Sequence, residues 1–414
     1  MIMTACPTHL TIQPFNDLTP SPSVNLDSRV FPQRPAWVEI DLARLRRNLQ
    51  LIRGDLPPHV QLLAVVKDEG YGHGALDVAR VALEEGATFL SVSTLEEAMA
   101  LRDAGIKARI LLLGERQETE LPWCVAYDLT VCVNDLHTAQ KLARVAAGFE
   151  KRVPVHVKIN SGMSRYGVRW DEAIHLLETI AAEPSLQLEG AMTHFSQSDE
   201  IEKTFAHLQM SRFDEVIAAA NQRAVRVPMQ HLCNSGGFLD LPQAHRDMVR
   251  VGILMYGIFP STVCRRIEGI EPVMSIKARI AGIQRVKAGE HVGYGMRYTA
   301  PSDRRIAVLP IGYGDGFPRV RNQGCALIHG KRAPLVGGIA MDALMVDITD
   351  IPEAQMWDEA VIMGEQNGES ITARDMAQLK NSVTYDVLTG WRLRLQRKCV
   401  NGDGEVKPVK GLKG

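Results

Sequence analysis

Lys67 closes an apolar run, Leu62-Leu63-Ala64-Val65-Val66, and opens onto Tyr71-Gly72-His73-Gly74. An amine carried by a buried strand to the lip of a glycine-rich loop stands where a carbonyl cofactor could be held as an imine. The glycines around His73 leave backbone free of side-chain obstruction, and Tyr71 adds a phenol that can donate to a phosphate. By itself, an apolar run ending in lysine is an ordinary strand end with a solvated charge, so the motif gains weight only from its surroundings.

Chemistry-bearing residues of this kind need elements to place them. Aliphatic or β-branched runs begin near Leu62, Phe89, Ile110, Leu129, Val153, Leu188, His231 and Met248. Segments with helical spacing separate them: Thr94 to Asp103 closed by Gly105, Asn134 to Ala147 capped by Asn134 and followed by Gly148, and Phe205 to Asn221. This alternation predicts an α/β fold, a (β/α)₈ TIM-type barrel over residues 35–270 whose chemistry gathers at the C-terminal strand ends. Lys67, Lys158, His194, Asn234-Ser235 and Arg250 all fall at such ends. Beyond Glu271 the texture changes to short Val- and Ile-rich runs with glycine turns, among them Ser275 to Val286, Arg305 to Ile311, Cys325 to His329 and Ala343 to Ile348. That pattern predicts a C-terminal mostly-β domain over 271–414. Residues 1–34, with Pro20-Ser21-Pro22-Ser23, read as a flexible N-terminal extension without a secretory signal.

Composition narrows the function classes. The 47 basic and 48 acidic side chains nearly cancel, which removes any electrostatic reason to expect nucleic acid or an anionic membrane as partner. No run approaches the length of a spanning helix. Seven scattered cysteines without a C-x-x-C pair argue against a disulfide framework or a zinc knuckle and fit free thiols in a reducing cytoplasm. A small-molecule substrate is expected, and no metal.

The residues together resemble the alanine racemase family, enzymes of fold type III that depend on pyridoxal 5'-phosphate (PLP). The resemblance rests on Ala64-Val65-Val66-Lys67 with Tyr71-Gly72-His73-Gly74, on Val157-Lys158-Ile159-Asn160-Ser161-Gly162-Met163-Ser164-Arg165-Tyr166-Gly167, and on His194-Phe195 and Cys233-Asn234-Ser235. It continues through Arg250-Val251-Gly252-Ile253, Tyr256-Gly257, Val292-Gly293-Tyr294-Gly295, Leu309-Pro310-Ile311-Gly312-Tyr313 and Met341-Asp342. These stretches stand in the family's order and span roughly residues 36 to 397.

The resemblance implies a PLP-binding barrel, a β domain and a head-to-tail homodimer whose active sites take residues from both subunits. Racemisation needs an electron sink and one acid/base group on each face of a planar intermediate. By resemblance these groups are Lys67, acting on the D-enantiomer, and Tyr294 from the partner subunit, acting on the L-enantiomer. Tyr71, Ser235, Gly252, Ile253 and Tyr385 would hold the phosphate, through hydroxyls and backbone N–H groups, with Asn234 beside them. Arg250 would face the pyridine nitrogen, where a guanidinium can only donate. His194 would join Arg250 to the tyrosine. Arg165 and the Met341 backbone would take the substrate carboxylate, Tyr313 would narrow the approach, and Asp342 would be a supporting residue. Lys158 matches a lysine that many relatives carry carbamylated. The product, D-alanine, would supply peptidoglycan precursors.

Three stretches depart from the family pattern. Asp68-Glu69-Gly70 replaces the commoner Ala-Asp-Ala, Asn160-Ser161 the frequent Asp-Thr, and Ala343 a Gln. They leave open a serine or broad-specificity racemase, since the motifs that carry the mechanism are not those that select the side chain. A PLP decarboxylase would want a carboxylate at the pyridine nitrogen, where Arg250 stands. A non-enzymatic PLP-binding protein would need neither a second base nor a second domain.

Overall fold

A computed structural model describes residues 34–402 and the strand Glu405–Pro408. Eight strands lie parallel: Gln61–Val65, Phe89–Val92, Arg109–Leu112, Thr130–Val133, Val153–Asn160, Leu186–Met192, Met229–His231 and Met248–Val251. Their starts fall within two residues of those read from the apolar runs. Met248 pairs with Gln61 and Val251 with Ala64, which brings the last strand back to the first. At the remaining seam Asp247 N donates to Gln230 O (3.1 Å) and Arg250 N to Cys233 O (3.0 Å), so the sheet is a nearly closed barrel. Strands such as Phe89–Val92 and Thr130–Val133 are buried at every position, as expected when helices cover one face and barrel side chains the other.

Local signals explain most helix starts. Thr94 accepts from Glu97 N while Glu97 returns to Thr94 N, a reciprocal cap for Leu95–Asp103. The expected cap at Asn134 is corrected: the helix is Leu136–Gly148, and Asp135 caps it by accepting from Thr138 N at 2.8 Å. Asn134 and Asp135 are both able to cap, but the strand ending at Val133 carries Asn134 into the barrel mouth instead, where its Nδ2 donates to Gly114 O (2.9 Å).

The second domain is built on a sheet of eight strands and a three-stranded sheet of Gly282–Val286, Arg304–Leu309 and Leu344–Asp347. Ala36–Asp41, within the segment expected as barrel, pairs antiparallel with Met274–Arg279 and parallel with Gln396–Asn401. Its buried Val38 and Ile40 thus pack in the second domain's sheet, while Asp41 caps the helix Leu42–Gly54 that follows. The expectation for the N-terminal extension lies outside the described residues apart from Arg34. Among the described residues the cysteines are free, and no helix is long and apolar enough to cross a membrane.

Candidate active site

A cavity of about 520 Å³ opens among the C-terminal ends of the barrel strands. Of the residues expected at the site, Lys67, Tyr71, Lys158, Arg165, His194, Asn234, Ser235, Arg250, Gly252, Ile253 and Tyr385 line it. Tyr385 comes from the second domain, on the helix Thr384–Thr389. Tyr294, Tyr313, Met341 and Asp342 do not line it.

After Lys67 the chain makes a left-handed turn, with φ positive at Asp68, Glu69, Gly70, Tyr71 and Gly72. Such a course costs roughly 1–2 kcal/mol for each residue with a Cβ. Part of what holds it is Glu97, whose carboxylate accepts from Asp68 N at 2.6 Å. The turn carries Tyr71 to Gly252: a Cβ built there would lie 2.8 Å from the Tyr71 hydroxyl, so only glycine leaves room. Ser235 Oγ sits on the same spot, accepting from Gly252 N (3.1 Å) and Leu254 N (3.4 Å). Asn234-Ser235-Gly236-Gly237 is a helix start rather than a plain turn, since Asn234 Oδ1 accepts from Gly237 N at 2.9 Å. Burial pushes the Tyr71 and Tyr385 phenols above their ordinary range, so both stay protonated donors. Hydroxyls and N–H groups therefore converge at one end of the cavity, the donor set of an anion cradle.

Arg250 is buried, and both of its terminal nitrogens are engaged. Its guanidinium donates to the carbonyls of Thr193 (2.8 Å), His231 (2.8 Å) and Leu232 (3.0 Å), and to Nδ1 of His194 and of His231, each at 3.1 Å. Burial lowers it to about 10, which leaves it charged at neutral pH. Because it can only donate, both imidazoles must accept at Nδ1 and carry their proton on Nε2. His231 Nε2–H then donates to His156 Nδ1 (2.7 Å), and His156 Nε2–H to Glu189 (3.1 Å). Arg109 pairs with the other Glu189 oxygen at 2.6 Å. Burial holds His194 and His231 well below the usual histidine range and lowers His156 as well.

Lys158 is nine-tenths buried, and its amine has no hydrogen bond or ion pair among the described residues. Burial first, then the charge of Arg250, draws it down to about 7. Arg165 reaches the cavity from the exposed loop after Val153–Asn160.

The four remaining residues gather on the second domain. Tyr294 is 80 % exposed and Met341 52 %. The Met341 carbonyl accepts from Gly314 N (2.8 Å), next to Tyr313, and Asp342 pairs with Arg394. His156, His231 and Glu189 escaped the sequence reading. Their only signal is a polar side chain at a barrel-strand position, which also describes any satisfied core histidine. Cys132 and Asn134 line the cavity too and were likewise missed as site residues.

The family model for alanine racemase, N-terminal domain, matches residues 40–260, and that for alanine racemase, C-terminal domain, matches 273–399. An alanine racemase of Halothermothrix orenii is 36 % identical over 90 % of this chain and 98 % of its own length. One from Nostoc sp. is 38 % identical over 89 % and 96 %. Among solved structures, alanine racemase of Clostridium difficile 630 is similar with a TM-score of 0.86 at 32 % identity, covering 90 % of this chain and 97 % of that one. The Bacillus anthracis alanine racemase with bound L-Ala-P gives 0.85 at 32 % identity over 91 % and 97 %.

Proposed function

The chain belongs to the alanine racemase family, and we propose that it interconverts L- and D-alanine with PLP covalently anchored on Lys67 and with Tyr294 of the partner subunit opposite. The observation that carries this reading is one cavity that joins the Lys67 amine, the anion cradle of Tyr71, Ser235 and Gly252, and the charged Arg250. The cradle fits a phosphate monoester: its donors are neutral, and the Gly252 gap is one that any Cβ would fill.

When bound, the coenzyme supplies delocalisation for the electron pair left at the substrate α-carbon. The chain does the rest. Ile253 N–H and Tyr385 complete the phosphate contacts, and Asn234 fixes the helix start that presents Ser235. Arg250, unable to accept a proton, holds a donor at the ring nitrogen and limits how strongly electrons are drawn away. Arg165 and the Met341 backbone orient the carboxylate, Asp342, paired with Arg394, adjoins Met341 in the chain, and Tyr313 restricts the approach to small side chains. Lys67 Nζ moves the proton on one face of the α-carbon and the phenol of Tyr294 of the partner subunit on the other. His194 Nε2–H, directed away from Arg250, is the donor available to that phenol. Lys158 lies among like charges with an amine that titrates near neutrality; as a carbamate it would pair with Arg165 instead of repelling it.

The head-to-tail homodimer follows from this reading, since Tyr294 and Met341 are exposed on their own chain and do not line the cavity that holds Lys67. Activity in the cytoplasm, feeding D-alanine to peptidoglycan precursors, completes it. In deuterated water, both enantiomers of alanine should exchange their α-hydrogen with the protein present, and Lys67→Ala should abolish both exchanges. Racemisation surviving in Lys67→Ala sinks the assignment. Serine turned over faster than alanine would move the substrate to the broader class.

A further inference from the structure

The left-handed turn after Lys67 points the carbonyls of Gly70, Tyr71 and Gly72 at two side chains that the reaction does not use. His73 Nδ1 lies 3.0 Å from Gly70 O and 2.9 Å from Tyr71 O. Arg397 Nε donates to Gly72 O at 3.2 Å. Carbonyls only accept, so His73 carries its proton on Nδ1 and shares it between the two.

That tautomer leaves His73 Nε2 a bare acceptor, and this nitrogen is buried without a partner among the described residues. The residue is fully buried, its ring stacked on Tyr256 at 4.4 Å, and the Tyr256 hydroxyl donates to Val65 O two residues before Lys67. An unpaired buried nitrogen is unfavourable, and an apolar ring of the same shape would stack without it. What imidazole alone supplies here is the Nδ1–H. The proton stays in place at neutral pH without a second one joining it, because burial lowers His73 to about 4.

Arg397 belongs to the strand Gln396–Asn401 of the second domain, and its other nitrogens donate to the carbonyls of Trp391 (2.6 Å), Arg392 (2.9 Å) and Leu395 (3.0 Å). Those bonds fix the direction in which Nε points. Gly72 is held from the same side, because a Cβ there would come within 2.5 Å of Leu388 O.

We propose that His73 and Arg397 are positioning residues, one from each domain, that clamp three successive carbonyls of the turn and thereby hold the Tyr71 hydroxyl in the anion cradle. The proposal rests on the reading of that cradle as the coenzyme's phosphate site. The clamp sets affinity for the phosphate and leaves proton transfer at the α-carbon to other groups.

Two readouts on the full chain test it. In the coenzyme-free protein, His73→Phe and Arg397→Met should each speed backbone amide exchange across residues 68–74 by about tenfold or more, the scale of one lost buried hydrogen bond. His73→Asn, whose amide N–H replaces Nδ1–H, should recover most of the protection. On titration with PLP, followed by absorbance of the lysine-bound coenzyme, the Phe and Met variants should bind about tenfold more weakly, while kcat at saturating coenzyme falls far less. Unchanged exchange in both variants overturns the clamp whatever the coenzyme does, as does equal loss in His73→Asn and His73→Phe. Refusal of PLP by the unaltered chain, with the exchange result as expected, removes instead the reading of the cradle.

Discussion

Arg250 can only donate, and that chemical fact orients four other side chains. It sets the tautomers of His194 and His231, His231 sets His156, and His156 points its remaining N–H at Glu189. Two consequences follow for the proposed reaction. The charge that would stand beside the coenzyme ring is immobile, and the one N–H of His194 left over faces away from Arg250. If that N–H serves Tyr294 of the partner subunit, Tyr294→Phe should slow α-hydrogen exchange of L-alanine by about 10²-fold or more, while D-alanine still exchanges through Lys67. Equal loss for both enantiomers would contradict the assignment of one base to each face. Lys67 was legible because it ends an apolar run ahead of a glycine-rich loop, whereas His194 and Arg250 were given a role only through the resemblance, by their place among its ordered motifs. His156 and Glu189 were not, since their pairing runs between strands and leaves no mark in the local sequence.

At the scale of elements, the barrel strands were legible because burial on both faces demands unbroken apolar runs, and the turn chemistry around them is strong. Two features were not. Ala36–Asp41 reads like any strand before a helix, and its partners, Met274–Arg279 and Gln396–Asn401, lie hundreds of residues away in the chain. Adjacent cap-forming residues at 134 and 135 cannot be ranked without knowing where the preceding strand ends. The corrected cap has a measurable consequence. Asp135→Ala should lower unfolding free energy by about 1 kcal/mol in urea titration. Asn134→Ala should instead leave the helix start intact and disturb the cavity wall, where its Nδ2 holds Gly114 O. The reverse ranking would restore Asn134 as the cap.

For the whole molecule, the residues expected at one site divide into those that line the cavity, the barrel residues together with Tyr385 of the second domain, and four of the second domain that do not, and the proposed dimer is what would unite them. Mixing Lys67→Ala with Tyr294→Phe should therefore return activity that neither variant has. After subunit exchange, half the dimers are mixed and each carries one intact site, so about a quarter of the normal activity should reappear. No recovery on mixing would place both bases within one chain. The same architecture buries histidines as neutral rings, and pH should reveal it. His73, His156, His194, His231 and His245 all have values lowered by burial, His73 to about 4. Since the folded values lie below the unfolded one near 6.5, the unfolded chain binds more protons between them, and stability must fall as pH drops through that window. His73 alone accounts for on the order of 3 kcal/mol by pH 4. Lys158 adds no slope below about 7, because its window runs upward from there. Thermal unfolding should thus decline steeply as pH falls from 6.5 toward 4, with a shallower decline in His73→Asn. A melting temperature that holds constant from pH 7 to 5 would mean that these rings are not neutral and buried together.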